Sequence, residues 1–219
     1  MHASKKRCDS LVKRLVAHPG VWTLFIASAF LLPVARGIVR SVPPPLPTLA
    51  RVPTFELVDQ EGRPFGSDDL RGRIWVANVI FTRCPTVCPA LAASMAQVQH
   101  RARQLGDAFH LVSITADAQH DTPAVLKAFA QKHHASAHRW SFLTGDTAAI
   151  DALLRDGFRV GAGGVPGKDL FHSQHMILVD AKGQVRGYFD GLEHEAIDAL
   201  MHSIAQLVAE AGAVAPAGA

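Results

Sequence analysis

No long run of basic residues follows the N-terminus of this chain, and no basic stripe interleaves with aromatics. With 22 Lys and Arg against 19 Asp and Glu, the formal charge is a mild +3. These absences exclude nucleic acid as a partner, because phosphate binding needs a concentrated cationic face. Cysteine is scarce too, at three in 219 residues. Cys8 precedes the first apolar stretch, so it is neither a lipidation cysteine behind a signal nor a partner for the other two, Cys84 and Cys88. It reads as a free cytoplasmic thiol.

What is present begins at the N-terminus. Lys5, Lys6, Arg7, Lys13 and Arg14 precede an apolar stretch from Val21 to Ala35, followed by Arg36 and then Gly37-Ile38-Val39. Carried to Val39, the stretch approaches the ~20 residues that a membrane span needs, with Arg36 snorkelling to the interface. Positive charge ahead of it keeps residues 1–20 in the cytoplasm as a basic tail and sends the rest across. A cleaved signal peptide is the competing reading, but Ala35-Arg36-Gly37 is a mediocre small-x-small cleavage site. We therefore expect an uncleaved transmembrane anchor over 21–39. Either reading delivers the body of the protein to a compartment that permits disulfides. The proline-rich segment within 40–52 then predicts an extended, semi-rigid spacer. A folded domain over 53–209 follows, with a small-residue, flexible tail over 210–219.

The domain is organised around Phe81-Thr82-Arg83-Cys84-Pro85-Thr86-Val87-Cys88-Pro89. Before it, Ile74 to Phe81 is a nearly unbroken apolar run that fits a strand buried on both faces. After it, Leu91, Met95, Val98, Ala102 and Leu105 fall at helical spacing. The two cysteines thus sit on a strand-to-helix turn. Pro89 suits the first helical position, which predicts Cys88 as the N-cap, with a thiol acidified by the helix dipole. Two thiols so placed can cycle with a disulfide or bind a soft metal. A structural bridge is the plainer alternative, though structural bridges seldom need a helix N-terminus.

Elsewhere the pattern alternates. Phe55 and Leu57, the turn Asp59-Gln60-Glu61-Gly62, and Pro64-Phe65 predict a small hairpin. Phe109–Thr115 is a second core strand, and Thr122-Pro123 opens a helix that turns Val125, Leu126 and Phe129 inward. Trp140–Leu143 is a short strand, and Ile150, Leu153, Leu154 and Phe158 mark another helix. His175–Val179, the turn Asp180–Gly183 and Val185–Phe189 form a terminal hairpin. Ile197, Leu200, Met201, Ile204, Leu207 and Val208 define a closing helix. This order spells a layered α/β fold of thioredoxin-like type, whose ligands sit beyond the carboxyl ends of the strands.

A metal on two thiolates wants a further ligand, and the chain has 12 histidines. His100, His110, His120, His133, His134 and His138 read as solvated positions on helix surfaces or element ends. His172 differs: it follows the glycine-rich stretch Gly161–Gly167 and lies where the hairpin strand begins. His175 lies in the same strand on the opposite face, so at most one of the pair points at the cysteines.

The cysteine stretch, together with Asp117-Ala118-Gln119-His120-Asp121-Thr122-Pro123 and His172-Ser173-Gln174-His175-Met176-Ile177-Leu178-Val179-Asp180, resembles the Sco/SenC family. The resemblance covers the domain from about Val52 to Val208. It implies a thioredoxin-like, membrane-tethered copper chaperone that serves the binuclear copper centre in subunit II of cytochrome c oxidase. The tether would lie in the cytoplasmic membrane, with the domain on the periplasmic side. It implies Cys84 and Cys88 as thiolate ligands and His172, rather than His175, as the imidazole ligand. Asp117 and Asp121 match the family's paired aspartates, although Asp121 also reads as a cap for the helix at Thr122 and Asp117 as a strand-end carboxylate. Ala118 stands where the family has proline. The donor set suits Cu(I), and a weak oxygen donor would admit Cu(II); zinc can take the same three ligands plus water.

The alternative is a thiol–disulfide oxidoreductase with Cys84 and Cys88 as its redox pair. Three residues rather than two between the cysteines, and the lack of a proline directly before His172, weigh toward metal. A peroxide-reducing, peroxiredoxin-like enzyme would want a single activated thiol in another setting, which this chain does not offer.

Overall fold

The computed structural model describes residues 19–40, 44–159 and 174–214. The chain divides into two units, Met1–Pro44 and Pro45–Ala219. The first contains helix α1 (Pro19–Arg40), 22 residues in length. Its side chains are described over 19–31, where Leu24, Phe25, Phe30 and Leu31 are exposed. Among the described residues no helix is long and apolar enough to cross a membrane.

The second unit is a mixed eight-stranded sheet covered on both faces. In chain order its elements are β1 (Ala50–Arg51), β2 (Glu56–Asp59), β3 (Pro64–Gly66), β4 (Ile74–Ile80), α2 (Val87–Arg101), β5 (Phe109–Thr115), α3 (Pro123–Lys132), β6 (Trp140–Thr144), α4 (Thr147–Ala152), β7 (His175–Val179), β8 (Gln184–Asp190) and α5 (His194–Val214). A wider helical turn, Leu153–Gly157, continues α4. Strand order is β1-β8-β7-β4-β5-β6-β2-β3. β4, β5 and β6 run parallel, while β7 joins β4 antiparallel. This arrangement is thioredoxin-like, as the alternation of elements predicts.

The strands β4, β5 and β6 are buried throughout because each face has its own core. Ile74, Val76 and Ile80 of β4 pack with Leu91, Met95 and Val98 of α2, Leu126 and Phe129 of α3, and Leu200 and Ile204 of α5. Trp75, Ala77 and Val79 pack on the other side with Ile150, Leu153, Leu154 and Phe158. Period-two alternation therefore divides one apolar run between two cores.

Two reverse turns follow one chemistry. Asp59 accepts from the N–H groups of Glu61 and Arg63, and Asp180 from those of Lys182 and Gln184, each at 2.9 Å. Gly62 and Gly183 supply the positive φ, +77° and +73°, that closes each turn.

The predicted small hairpin forms as β2–β3, and β2 also pairs with β6 and extends the sheet edge. Two features differ from the sequence expectation. The spacer read into 40–52 does not stand free over its second half. β1 pairs with β8, Leu46 packs against the first core, and the Arg186 guanidinium donates to the carbonyls of Leu46 (2.5 Å) and Pro47 (3.2 Å). Helix α5 runs through Val214, into the stretch read as a tail.

Candidate functional site

β4 and β5 are parallel and in register to their last residues, Ile80 opposite Thr115. Their carboxyl ends emerge side by side, and residues 81–86 carry the chain from β4 to α2. This connection folds back on itself: Cys84 N–H donates to the Phe81 carbonyl at 3.1 Å. Phe81 N–H donates to the Cys88 sulfur at 3.5 Å, and Cys88 N–H to the Cys84 sulfur at 3.4 Å. Both cysteines are free thiols, 8% and 4% exposed.

Cys88 is not the helix cap. Thr86 is, without a side-chain capping bond, which makes Cys88 the second helical residue and Pro89 the third. The helix terminus therefore aims at the other sulfur. Burial pushes the Cys84 thiol up, but the N–H groups of Cys88, Thr86 and Val87, with the Cys88 thiol, outweigh it and bring Cys84 below its ordinary value. Cys88 goes the opposite way. Burial first, then the Cys84 sulfur and the Asp121 carboxylate, push it up to about 12, against the pull of the Phe81 N–H. The acidified thiol expected at Cys88 belongs to Cys84.

Beside the thiols lies a polar brace. Asp121 is 0% exposed. Its carboxylate accepts from Thr82 N–H (3.0 Å), the Thr82 hydroxyl (2.5 Å) and the Thr115 hydroxyl (2.6 Å). The cap of α3 is instead Thr122, whose hydroxyl accepts from Val125 N–H at 3.4 Å, so the capping role read for Asp121 does not hold. Asp117 pairs with the exposed Arg83 guanidinium at 2.5 Å, and its N–H donates to the Thr115 hydroxyl at 2.9 Å. Sequence reasoning missed Thr82, Arg83 and Thr115. A buried hydroxyl closing a core strand, with aspartates two and six residues on, is the signal that was there to find.

His172 and the glycine-rich stretch 161–167 lie outside the described residues. Gln174 is described: its carbonyl accepts from Gly191 N–H at 2.8 Å, and β7 starts beside the carboxyl end of β4. A side chain at Gly191 would overlap Leu91 of the cysteine helix, so this strand edge approaches α2 closely. His175 is exposed and in register with Asp190 of β8. Among the described residues no group of three or more His, Cys, Asp or Glu could hold a metal. His110, read as a surface residue, is instead 4% exposed in β5, bonded through Nε2 to Ser141 at 2.9 Å and stacked on Phe65.

A pocket of about 450 Å³ opens beside the Arg83–Asp117 pair. A larger one, about 560 Å³, lies at the opposite end of the sheet among Arg51, Phe55, Leu70, Trp75 and Lys182. Neither is lined by a thiol or an imidazole, but the smaller borders the turn that carries the cysteines, through Phe81 and Arg83.

Fold and site together define a thioredoxin-like dithiol domain whose thiols lie at the carboxyl end of the central strands. The chain belongs to the SCO1/SenC family, whose sequence model matches residues 45–209. A SCO1/SenC family lipoprotein from Bacillus anthracis superposes with a TM-score of 0.65 at 31% identity, over 73% of this chain and 95% of that one. BsSco, described with a disulfide switch and as a member of the Sco family of cytochrome c oxidase assembly proteins, gives 0.63 at 27%, over 75% and 98%. Bradyrhizobium japonicum ScoI, solved with copper bound, gives 0.58 at 28%, over 70% and 99%.

Proposed function

We propose that this protein is a membrane-tethered copper chaperone that delivers copper to, or helps mature, the binuclear copper site in subunit II of cytochrome c oxidase. Copper is its cargo, held by Cys84, Cys88 and His172. The observation that carries the reading is the sulfur pair, buried, free of a disulfide and linked by the Cys88 N–H to the Cys84 sulfur, at the strand ends where a soft ion would be received. Two thiolates and an imidazole match the preference of Cu(I). The copper-bound relative and the relative described as an oxidase assembly protein support both the cargo and the destination.

The tether is α1. Its described side chains stop short of a full span, and the sequence carries the apolar character on to Val39. Basic residues ahead of it favour a cytoplasmic N-terminus and a periplasmic domain. The lipoprotein relative supports membrane attachment by some means.

The test is metal binding by the full chain in detergent, reduced and titrated with Cu(I). We expect one copper per chain. His172→Ala should weaken binding by about 10-fold or more and His175→Ala far less, since losing one ligand of three removes more than a neighbour can. Equal losses would overturn the ligand assignment.

The difference between an acidified Cys84 and a Cys88 held protonated also favours a second reading, a thiol–disulfide oxidoreductase. Insulin reduction by the same preparation at thioredoxin-like rates would select that reading.

A further inference from the structure

We propose that Asp121 is a positioning residue of the dithiol site, fixing the segment Thr82–Cys84 so that both sulfurs are set before an ion arrives. The inference rests on the copper reading for its cargo, but its geometry does not. A carboxylate buried to 0% exposure is costly unless donors surround it, and here three do. None belongs to the helix that Asp121 precedes. Two come from Thr82, two residues before Cys84, and one from Thr115, the last residue of the neighbouring strand.

Holding Thr82 by both its N–H and its hydroxyl fixes backbone and side chain at one residue. That orients Phe81, the residue common to both sulfur environments. The Phe81 N–H donates to the Cys88 sulfur at 3.5 Å, and the Phe81 carbonyl accepts from Cys84 N–H at 3.1 Å. The route from carboxylate to sulfurs is thus Asp121, Thr82, Phe81, then Cys84 and Cys88. Thr115 joins this route to the rim, since its hydroxyl donates to Asp121 and accepts from Asp117 N–H at 2.9 Å. The exposed Arg83–Asp117 pair is peripheral by comparison, because a solvent-screened ion pair contributes little.

The experiment compares Asp121→Asn, Thr82→Val, Thr82→Ser and the control Asp68→Asn in the full chain. Circular dichroism and a thermal melt report folding. Readouts are the iodoacetamide alkylation rate of Cys84 in metal-free protein, Cu(I) affinity by competition with bicinchoninate, and the thiolate-to-copper charge-transfer band of the Cu(II) form. Asp121→Asn should weaken Cu(I) binding by about 10- to 100-fold, the usual cost of losing a group that orients a ligand, with a changed alkylation rate and a shifted band. Thr82→Val should move the same readouts partway, Thr82→Ser should restore them, and Asp68→Asn, which removes an exposed ion pair with Arg71 away from the thiols, should stay near wild type.

A folded Asp121→Asn with wild-type alkylation, affinity and band overturns the proposal. If Asp121→Asn does not fold, the Thr82 pair decides, and identical behaviour of Val and Ser at 82 overturns it. Should the wild-type chain bind no copper while alkylation at Cys84 still responds to Asp121→Asn and Thr82→Val, with Ser restoring it, the positioning role stands and the chaperone reading falls.

Discussion

Cys84 and Cys88 are four positions apart, yet they differ in proton affinity because one receives a helix terminus and the other is inside it. The N–H groups of Thr86, Val87 and Cys88 converge on the Cys84 sulfur, while Cys88 faces burial, a neighbouring thiolate and a buried carboxylate. Alkylation requires the thiolate, so limiting iodoacetamide near neutral pH should modify Cys84 first, by about 10-fold or more. Peptide mass spectrometry of the singly modified chain checks this, and preferential label on Cys88 would contradict it. The sequence placed both sulfurs on the strand-to-helix turn but assigned the acidified thiol to Cys88 instead of Cys84. A shift of two residues in the helix start caused the misassignment, because Pro89 is compatible with the third helical position as well as the first. The brace was partly legible. The two aspartates stood out, but the destination of Asp121 depends on Thr82, 39 residues earlier, and local spacing cannot show that contact.

Among the elements, β4 was readable to within a residue because burial on both faces leaves a nearly unbroken apolar run, interrupted at Asn78. The helices α2, α3 and α5 were readable because their apolar residues recur at helical spacing. The proline-rich segment misled for the converse reason. Composition describes a chain's local stiffness and says nothing of a docking arginine 140 residues away. Arg186 is that arginine: it pairs with Asp180 at 2.8 Å, both side chains 10% exposed, reaches Glu210 of α5 at 3.3 Å, and holds the carbonyls of Leu46 and Pro47. Arg186→Ala would leave a buried carboxylate without its counter-charge, which costs about 3–5 kcal/mol for such pairs. It would also release residues 45–49 from the sheet edge. Chemical denaturation should register the loss of stability, and limited proteolysis should reveal new cleavage ahead of Ala50. Unchanged stability and proteolysis together would mean that β1 pairing with β8 suffices to hold the segment.

For the whole molecule, the alternation of strands and helices was enough to indicate a layered sheet, because each crossover helix must cover a face. Strand order was less accessible. β2 joins the sheet beside β6, a pairing across more than eighty residues that leaves no local trace. Histidine burial was the other global property out of reach, since a strand residue flanked by apolar neighbours can face either solvent or a stacked ring. His110 faces Phe65 and Ser141, its Nδ1 has no partner, and Arg73 and Asp69 are the charged groups that act on it. Burial, aided by Arg73 and opposed by Asp69, lowers its pKa to about 4 from an ordinary value of 6.5. The unfolded chain takes up this proton below about pH 6.5, whereas the native one resists until about pH 4. Stability is therefore complete above pH 6.5 and falls through that window by up to about 3 kcal/mol, at 1.36 kcal/mol per pKa unit. His110→Gln retains an amide to meet Ser141 but has nothing to titrate. Urea unfolding at pH 7 and at pH 4.5 should show a smaller decline for the variant than for the wild type. Equal declines would assign the acid sensitivity to other groups and leave His110 as a packing residue only.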